Sequence, residues 1–208
     1  VLRNVLVRTV AFFVFGSAGW ALLPLVARRE LGLGPAGYGV MLACIGLGAI
    51  AGAILLPRLR QRLNADRLMV AASLTFALTM LALAFVRHVW LLNLFEFFTG
   101  FAWIAVLSTL NLGAQRSAAR WVKARALAVY LTVFFGSMTA GSAIWGQIAS
   151  QFGTPTSLVV ATLGMVLASA TAFRWKLEKD PDLNLDLSGQ PLDGVEIELP
   201  NERGPVLV

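Results

Sequence analysis

Charge is scarce in this chain. Asp, Glu, Lys and Arg make up 13% of its 208 residues, about half the share typical of a soluble domain, which is too little to clothe a water-facing surface. Cysteine is nearly absent. Cys44 alone excludes an intrachain disulfide and any metal site of cysteine type, and reads as a small packing residue. Histidine is limited to His88, so neither a His-based triad nor a histidine metal cluster can be assembled. There is no Gly-Lys-Ser/Thr phosphate loop, and no nucleophile with a base at membrane depth. An ATPase, a membrane metalloprotease or another enzyme therefore has no residues to stand on, and no cofactor is implied.

What the chain does have is apolar length: 58% hydrophobic residues and a mean hydropathy of +0.75. A membrane-spanning helix needs roughly 20 mostly apolar residues. Six such runs are expected, at Val5 to Ala27, Ala36 to Pro57, Leu68 to Val86, Val89 to Gly113, Ala124 to Ser150 and Pro155 to Trp175. The fold class is then all-α, an integral membrane six-helix bundle over residues 1–175.

The basic residues fall on alternate turns. With a cytoplasmic N-terminus, the inner side holds Arg3, Arg8, the Arg58 to Arg67 loop, the Arg116 to Arg125 loop, Arg174, Lys176, Lys179 and Arg203, and the outer side only Arg28, Arg29 and Arg87, fourteen against three. The positive-inside rule places both termini in the cytoplasm of a cell membrane. The net charge of +6 thus belongs to headgroup-level loops, and gives no reason to expect nucleic acid.

Boundaries come from charge, Gly and Pro. Pro35 suits the first turn of the second helix, whose end is expected at Pro57. Gln115 to Arg125 reads as an amphipathic surface segment with Trp121 at the interface. After Trp175 the composition turns acidic, with Asp180, Asp182, Asp186, Asp193, Glu196 and Glu198. Residues 176–208 are expected to be a linker-like cytoplasmic tail, ending at Val206 to Val208 as though a strand were starting. The chain opens on Val1, and is expected to be a piece of a longer protein.

Inside the spans, small residues mark helix contacts. Gly48 and Gly52 form a GxxxG pair, and Gly136, Gly141 and Gly146 sit in a dense small-residue stretch of the fifth span. Glu96 is the one acidic residue well inside a span. A charged carboxylate facing lipid at mid-depth costs on the order of 3 kcal/mol or more, so Glu96 should face the bundle, with Asn93, Gly100 and Trp103 on its side of the helix. It either handles protons or a cationic substrate group, or only fixes packing. Trp20, Tyr130 and Trp145 complete the cavity candidates, although ordinary bundle packing uses the same residues.

The layout resembles one half of a major facilitator superfamily transporter. Gly52 to Arg60 followed by Asp66-Arg67-Leu68, and Leu110 to Gln115 followed by Arg120 to Tyr130, resemble the C-terminal half of the enterobactin exporter-like branch. The resemblance covers about Val5 to Trp175, making these helices seven to twelve of twelve. It implies alternating access against a missing N-terminal six-helix half, with spans one, two, four and five at the cavity and three and six at the periphery. It implies proton-coupled efflux, by antiport, of a siderophore or other small organic compound, with Glu96 the candidate for proton coupling; import, facilitation or a non-transporting scaffold remain open. The superfamily's basic loop would be Arg58, Arg60, Arg62, Asp66 and Arg67. Leu56 stands where its signature aspartate belongs, so the gating ion pair of that aspartate does not carry over.

Overall fold

The computed structural model describes residues 2–117 and 120–170; the acidic tail and its strand-like end lie outside the described residues. Within them the protein is all helical. Helix α1 spans Leu2–Leu25 and continues as a π-helical turn, Val26–Glu30. It is followed by α2 (Pro35–Arg62), α3 (Ala65–Phe85), α4 (Val89–Arg116), a 3-10 turn (Arg120–Val122), α5 (Lys123–Phe152) and α6 (Thr154–Ser169). The first five are long and apolar enough to cross a membrane; α6 is a shorter apolar helix. This is a multi-pass membrane bundle.

The punctuation acts as read from the sequence, with two differences. Pro35 opens α2. Gly153 separates α5 from α6 with φ of +87°, a conformation that glycine adopts without a Cβ penalty. Pro57, however, does not end α2. Proline removes one backbone donor, a loss that membrane helices tolerate where neighbours compensate, and the helix runs on to Arg62. Likewise Gln115 and Arg116 finish α4, and Lys123 already starts α5. In place of a surface helix there is one 3-10 turn, carrying an exposed Trp121.

Packing follows close approach of backbones. The most extensive contacts are α2 on α4 and α5 on α1, then α3 on α4 and on α6, and α1 on α6. Exchanging α1–α3 with α4–α6 turns the first pair into the second and α3/α4 into α6/α1. The exchange is only partial, since α5 packs on α6 while α2 scarcely meets α3.

Glycine makes these crossings possible. A Cβ on Gly48 would strike the Phe97 carbonyl, one on Gly100 the Ile45 carbonyl, and one on Gly52 the Ile104 side chain, all in the α2/α4 crossing. In the α1/α5 crossing, a Cβ on Gly141 would strike Ser17 Oγ and the Val14 carbonyl. Around Gly136 and Gly146 the space is open. The packing expected of those two is not made within the described residues.

Of the five long helices, α3 is the most enclosed and α5 the least. Large apolar side chains are exposed on α3 and α6, with Leu74, Leu78, Leu81, Phe85, Leu163 and Leu167, and equally on α2, with Leu42, Leu47, Ile50 and Ile54, and on α5, with Leu131, Phe135 and Ile144. What sets α2 and α5 apart is the small or polar residues exposed among these, Ala36, Gly39, Ala43, Gly46 and Ala53 on α2 and Ala128, Thr132, Gly136, Thr139, Ala143, Gly146 and Gln147 on α5.

Candidate functional site

Polar side chains at membrane depth collect on α4 and the helices packed against it. Glu96 is 2% exposed, as the cost of a lipid-facing carboxylate requires. It lines a small cavity with Gly19, Trp20 and Leu23 of α1, Ile45 of α2, Phe76, Thr79, Met80 and Leu83 of α3, and Thr99 one turn along its own helix. The free space there amounts to about one water molecule. The Thr79 hydroxyl donates to the Phe76 carbonyl at 2.8 Å and the Thr99 hydroxyl to the Phe95 carbonyl at 3.2 Å. Both hydroxyls thus turn lone pairs outward from their helices.

Three buried polar atoms, Trp20 Nε1, Asn93 Oδ1 and Tyr130 Oη, have no hydrogen-bond partner among the described residues. Unsatisfied buried groups of this kind cost free energy. Two of the three sit near Glu96, on the same cavity wall or one turn away.

Aromatic rings link the candidates across the bundle. Trp103 meets Trp20 and Phe13, each at 5.3 Å between ring centres, Phe13 meets Phe134 at 4.4 Å, and Phe134 stacks on Tyr130 at 6.5 Å. The path joins α1, α4 and α5. Trp145 stands apart. Its indole N–H donates to the Val14 carbonyl at 2.6 Å, and its own carbonyl accepts from the Ser157 hydroxyl at 3.0 Å. It therefore ties α5 to both α1 and α6 across the Gly141 crossing.

At the basic end, Arg58, Arg62 and Arg67 are exposed. Asp66, in the first turn of α3, forms an ion pair with Arg8 of α1, which is only 3% exposed. Arg60 donates from Nη2 to Ser108 Oγ on α4 at 3.0 Å. The opposite end has its own tie, Arg87 Nη2 to Glu30 Oε2 at 3.1 Å. Sequence reasoning missed Arg8, Ser108 and the two threonines as partners. For Arg8 a signal existed, because an arginine inside an apolar span needs a counter-charge, and Asp66 is the one acidic residue of the facing loop.

The described residues thus form a bundle of apolar helices, with small residues at its crossings and a buried carboxylate on α4. Over residues 1–208 the sequence matches the family described as transmembrane secretion effector. The chain belongs to that family. It is therefore a transporter of major facilitator type, in a non-enzymatic class whose work is movement of a small-molecule substrate across a lipid bilayer. No curated protein and no solved structure matches the chain. Among the described residues no group of three or more His, Cys, Asp or Glu side chains comes together, and the polar groups of this secretion-type transporter that do converge are oxygen and indole groups around Glu96.

Proposed function

We propose that the chain is the C-terminal six-helix half of a proton-coupled exporter, moving a siderophore or other small organic compound out of the cell by alternating access. The observation that supports this reading is the concentration of small and polar exposed residues on α2 and α5. Lipid offers helices no hydrophobic gain from association, so helices that meet in a membrane use small and polar residues. Such residues lie on the open faces of α2 and α5, the faces a second six-helix half would cover. The exposed stripes of α3 and α6 are mostly large and apolar, with few small or polar residues among them, which suits lipid. The bundle sits in the cell's inner membrane with both termini, and the acidic segment from residue 176, in the cytoplasm.

On this reading Glu96 carries the coupled proton. Its cavity has no room for an organic substrate, so the substrate passes elsewhere, along the surface that α1, α2, α4 and α5 present to the other half. Trp20 lines the Glu96 cavity and meets Trp103 edge-on, and both rings are only partly buried. Substrate contact at Trp103 would be felt at Trp20 and hence at the carboxyl. Asn93 and Tyr130 supply polar groups to the same wall, and Trp145 holds α1 and α5 in register.

The test is substrate-dependent proton flux in liposomes containing the full-length transporter. Glu96→Gln is expected to abolish coupled flux while leaving substrate binding in place; unchanged flux removes Glu96 from the mechanism. Reversing the imposed proton gradient separates exporter from importer.

A further inference from the structure

We propose that Trp20 is a positioning residue for the proton on Glu96, acting through a bound water that links its indole N–H to the Glu96 carboxyl. This inference rests on the reading of Glu96 as the carrier of the coupled proton. It starts from a donor without an acceptor: Trp20 Nε1 is buried and bonds to nothing among the described residues. An indole N–H can only donate, and a buried donor left unpaired costs free energy that native structures avoid. Trp20 lines the cavity that Glu96, Thr79 and Thr99 also line, so oxygen acceptors stand around the same space. None of them takes the indole proton directly.

The two threonines have already committed their protons. Thr79 donates to the Phe76 carbonyl at 2.8 Å and Thr99 to the Phe95 carbonyl at 3.2 Å, each within its own helix, so any further bond to either hydroxyl must be one that it accepts. Ionised Glu96 can only accept as well. The other lining residues, Gly19, Leu23, Ile45, Phe76, Met80 and Leu83, bring apolar side chains or none, so among the described residues no other titratable or charged group lines the cavity. Three accepting side chains thus share a space with a single donor. A water corrects the imbalance, because it supplies two hydrogens and accepts the indole proton on its oxygen. The free space matches one water molecule, and the lining offers the two to four polar partners that a buried water requires.

The same water serves both protonation states. With Glu96 ionised, it accepts from Trp20 Nε1 and donates to the carboxylate and to one threonine oxygen. When Glu96 takes up a proton, the carboxyl O–H donates to the second lone pair of the water, and both water hydrogens turn to Thr79 and Thr99. The indole holds the water oxygen throughout, and so fixes the point at which the proton enters and leaves the carboxyl. Trp20 also meets Trp103 edge-on, with 5.3 Å between ring centres, and both rings are partly buried. A shift of Trp103 turns the indole and displaces the water. An event at the exposed side of Trp103 is thereby passed to Glu96 without any contact of substrate with the carboxyl.

The test is infrared difference spectroscopy of the full-length transporter in liposomes, between an acidic and an alkaline buffer, in ordinary and in heavy-oxygen water. The carboxyl C=O band that disappears in Glu96→Gln belongs to Glu96. It is expected to be accompanied by an O–H stretching band that shifts in heavy-oxygen water. Trp20→Phe, which keeps a ring and removes the donor, should abolish that water band and displace the carboxyl band, with an unchanged circular dichroism spectrum. Coupled proton flux in the same variant should fall about tenfold or more, as expected for one lost hydrogen bond to a charged group. Thr79→Val should displace the water band and Thr79→Ser restore it, whereas Thr75→Val, on the same helix but outside the cavity, should leave it in place. The threonine variants keep the test decisive even if Trp20→Phe does not fold. A parent spectrum indifferent to heavy oxygen, or a water band untouched by Trp20→Phe or by Thr79→Val, overturns the proposal. A band that vanishes when sodium replaces choline at constant pH assigns the space to a cation and also overturns it. Unchanged flux in Glu96→Gln, with the predicted water band present in the parent and lost in Trp20→Phe, refutes proton coupling through Glu96 while supporting the water bridge.

Discussion

Asp66→Asn removes the counter-charge of a guanidinium that is 3% exposed. Breaking a buried ion pair by deleting one partner costs about 3–5 kcal/mol, because the remaining charge stays desolvated. The Asp66 side chain is 23% exposed, so water reaches the pair from one side and the lower figure, about 3 kcal/mol, applies. Arg8→Met should cost less, since it leaves behind the better-hydrated carboxylate and puts a side chain of similar length into the α1/α3 contact. The double variant Arg8→Met/Asp66→Asn should be more stable than Asp66→Asn alone. Part of the Asp66 effect, about 0.3–1 kcal/mol, comes from its place in the first turn of α3. That part is common to both backgrounds and cancels in the cycle. The assay is unfolding of the full chain in detergent, followed by tryptophan fluorescence. On the scale of soluble domains of this size, 3 kcal/mol corresponds to a fall in Tm of about 6–12 °C. Equal losses for the two single variants that simply add in the double would show the charges to be uncoupled, and would refute the reasoning.

Gly100→Ala places a Cβ against the Ile45 carbonyl and should destabilise the bundle by about 1–3 kcal/mol in the same assay, whereas Gly146→Ala, with open space around it, should be within about 0.5 kcal/mol of the parent. In the complete transporter that order should reverse for assembly: Gly146→Ala, on the α5 face that would meet the other half, weakens association of separately expressed halves in a pull-down. Trp145→Phe deletes the bond to the Val14 carbonyl and should cost about 0.5–1.5 kcal/mol, measured against Trp121→Phe, which is exposed and should be neutral.

The bundle was legible because hydrocarbon thickness acts on every span at once. Apolar length locates helices whether or not their partners are known. Direction within the bundle was not legible to the same degree. Ser137, Gly141 and Trp145 share one face of α5 and are buried, while Gly136, Ala143 and Gly146 share the opposite face and are exposed; as letters in a sequence, both sets read as small-residue stripes. The inward facing of Glu96 followed from the cost of exposing it. Its enclosure against α3 did not, because that depends on the register between helices far apart in sequence. Pro57 misled for a related reason: its effect on a helix depends on what surrounds it, and Arg60 anchored to Ser108 gives the following turn a reason to stay helical. Arg8 was counted as one more inner charge, since a pair 58 residues apart leaves no periodic trace.

The most direct measurement is the sidedness of the α2/α3 and α3/α4 turns in the cell membrane. In a Cys44→Ser background, single cysteines at Asn64 and His88 are treated with a membrane-impermeant maleimide, in intact spheroplasts and in inverted vesicles. The account predicts that Asn64→Cys reacts only in inverted vesicles and His88→Cys only in spheroplasts. Labelling of Asn64→Cys from outside, or of both positions from the same face, would contradict it.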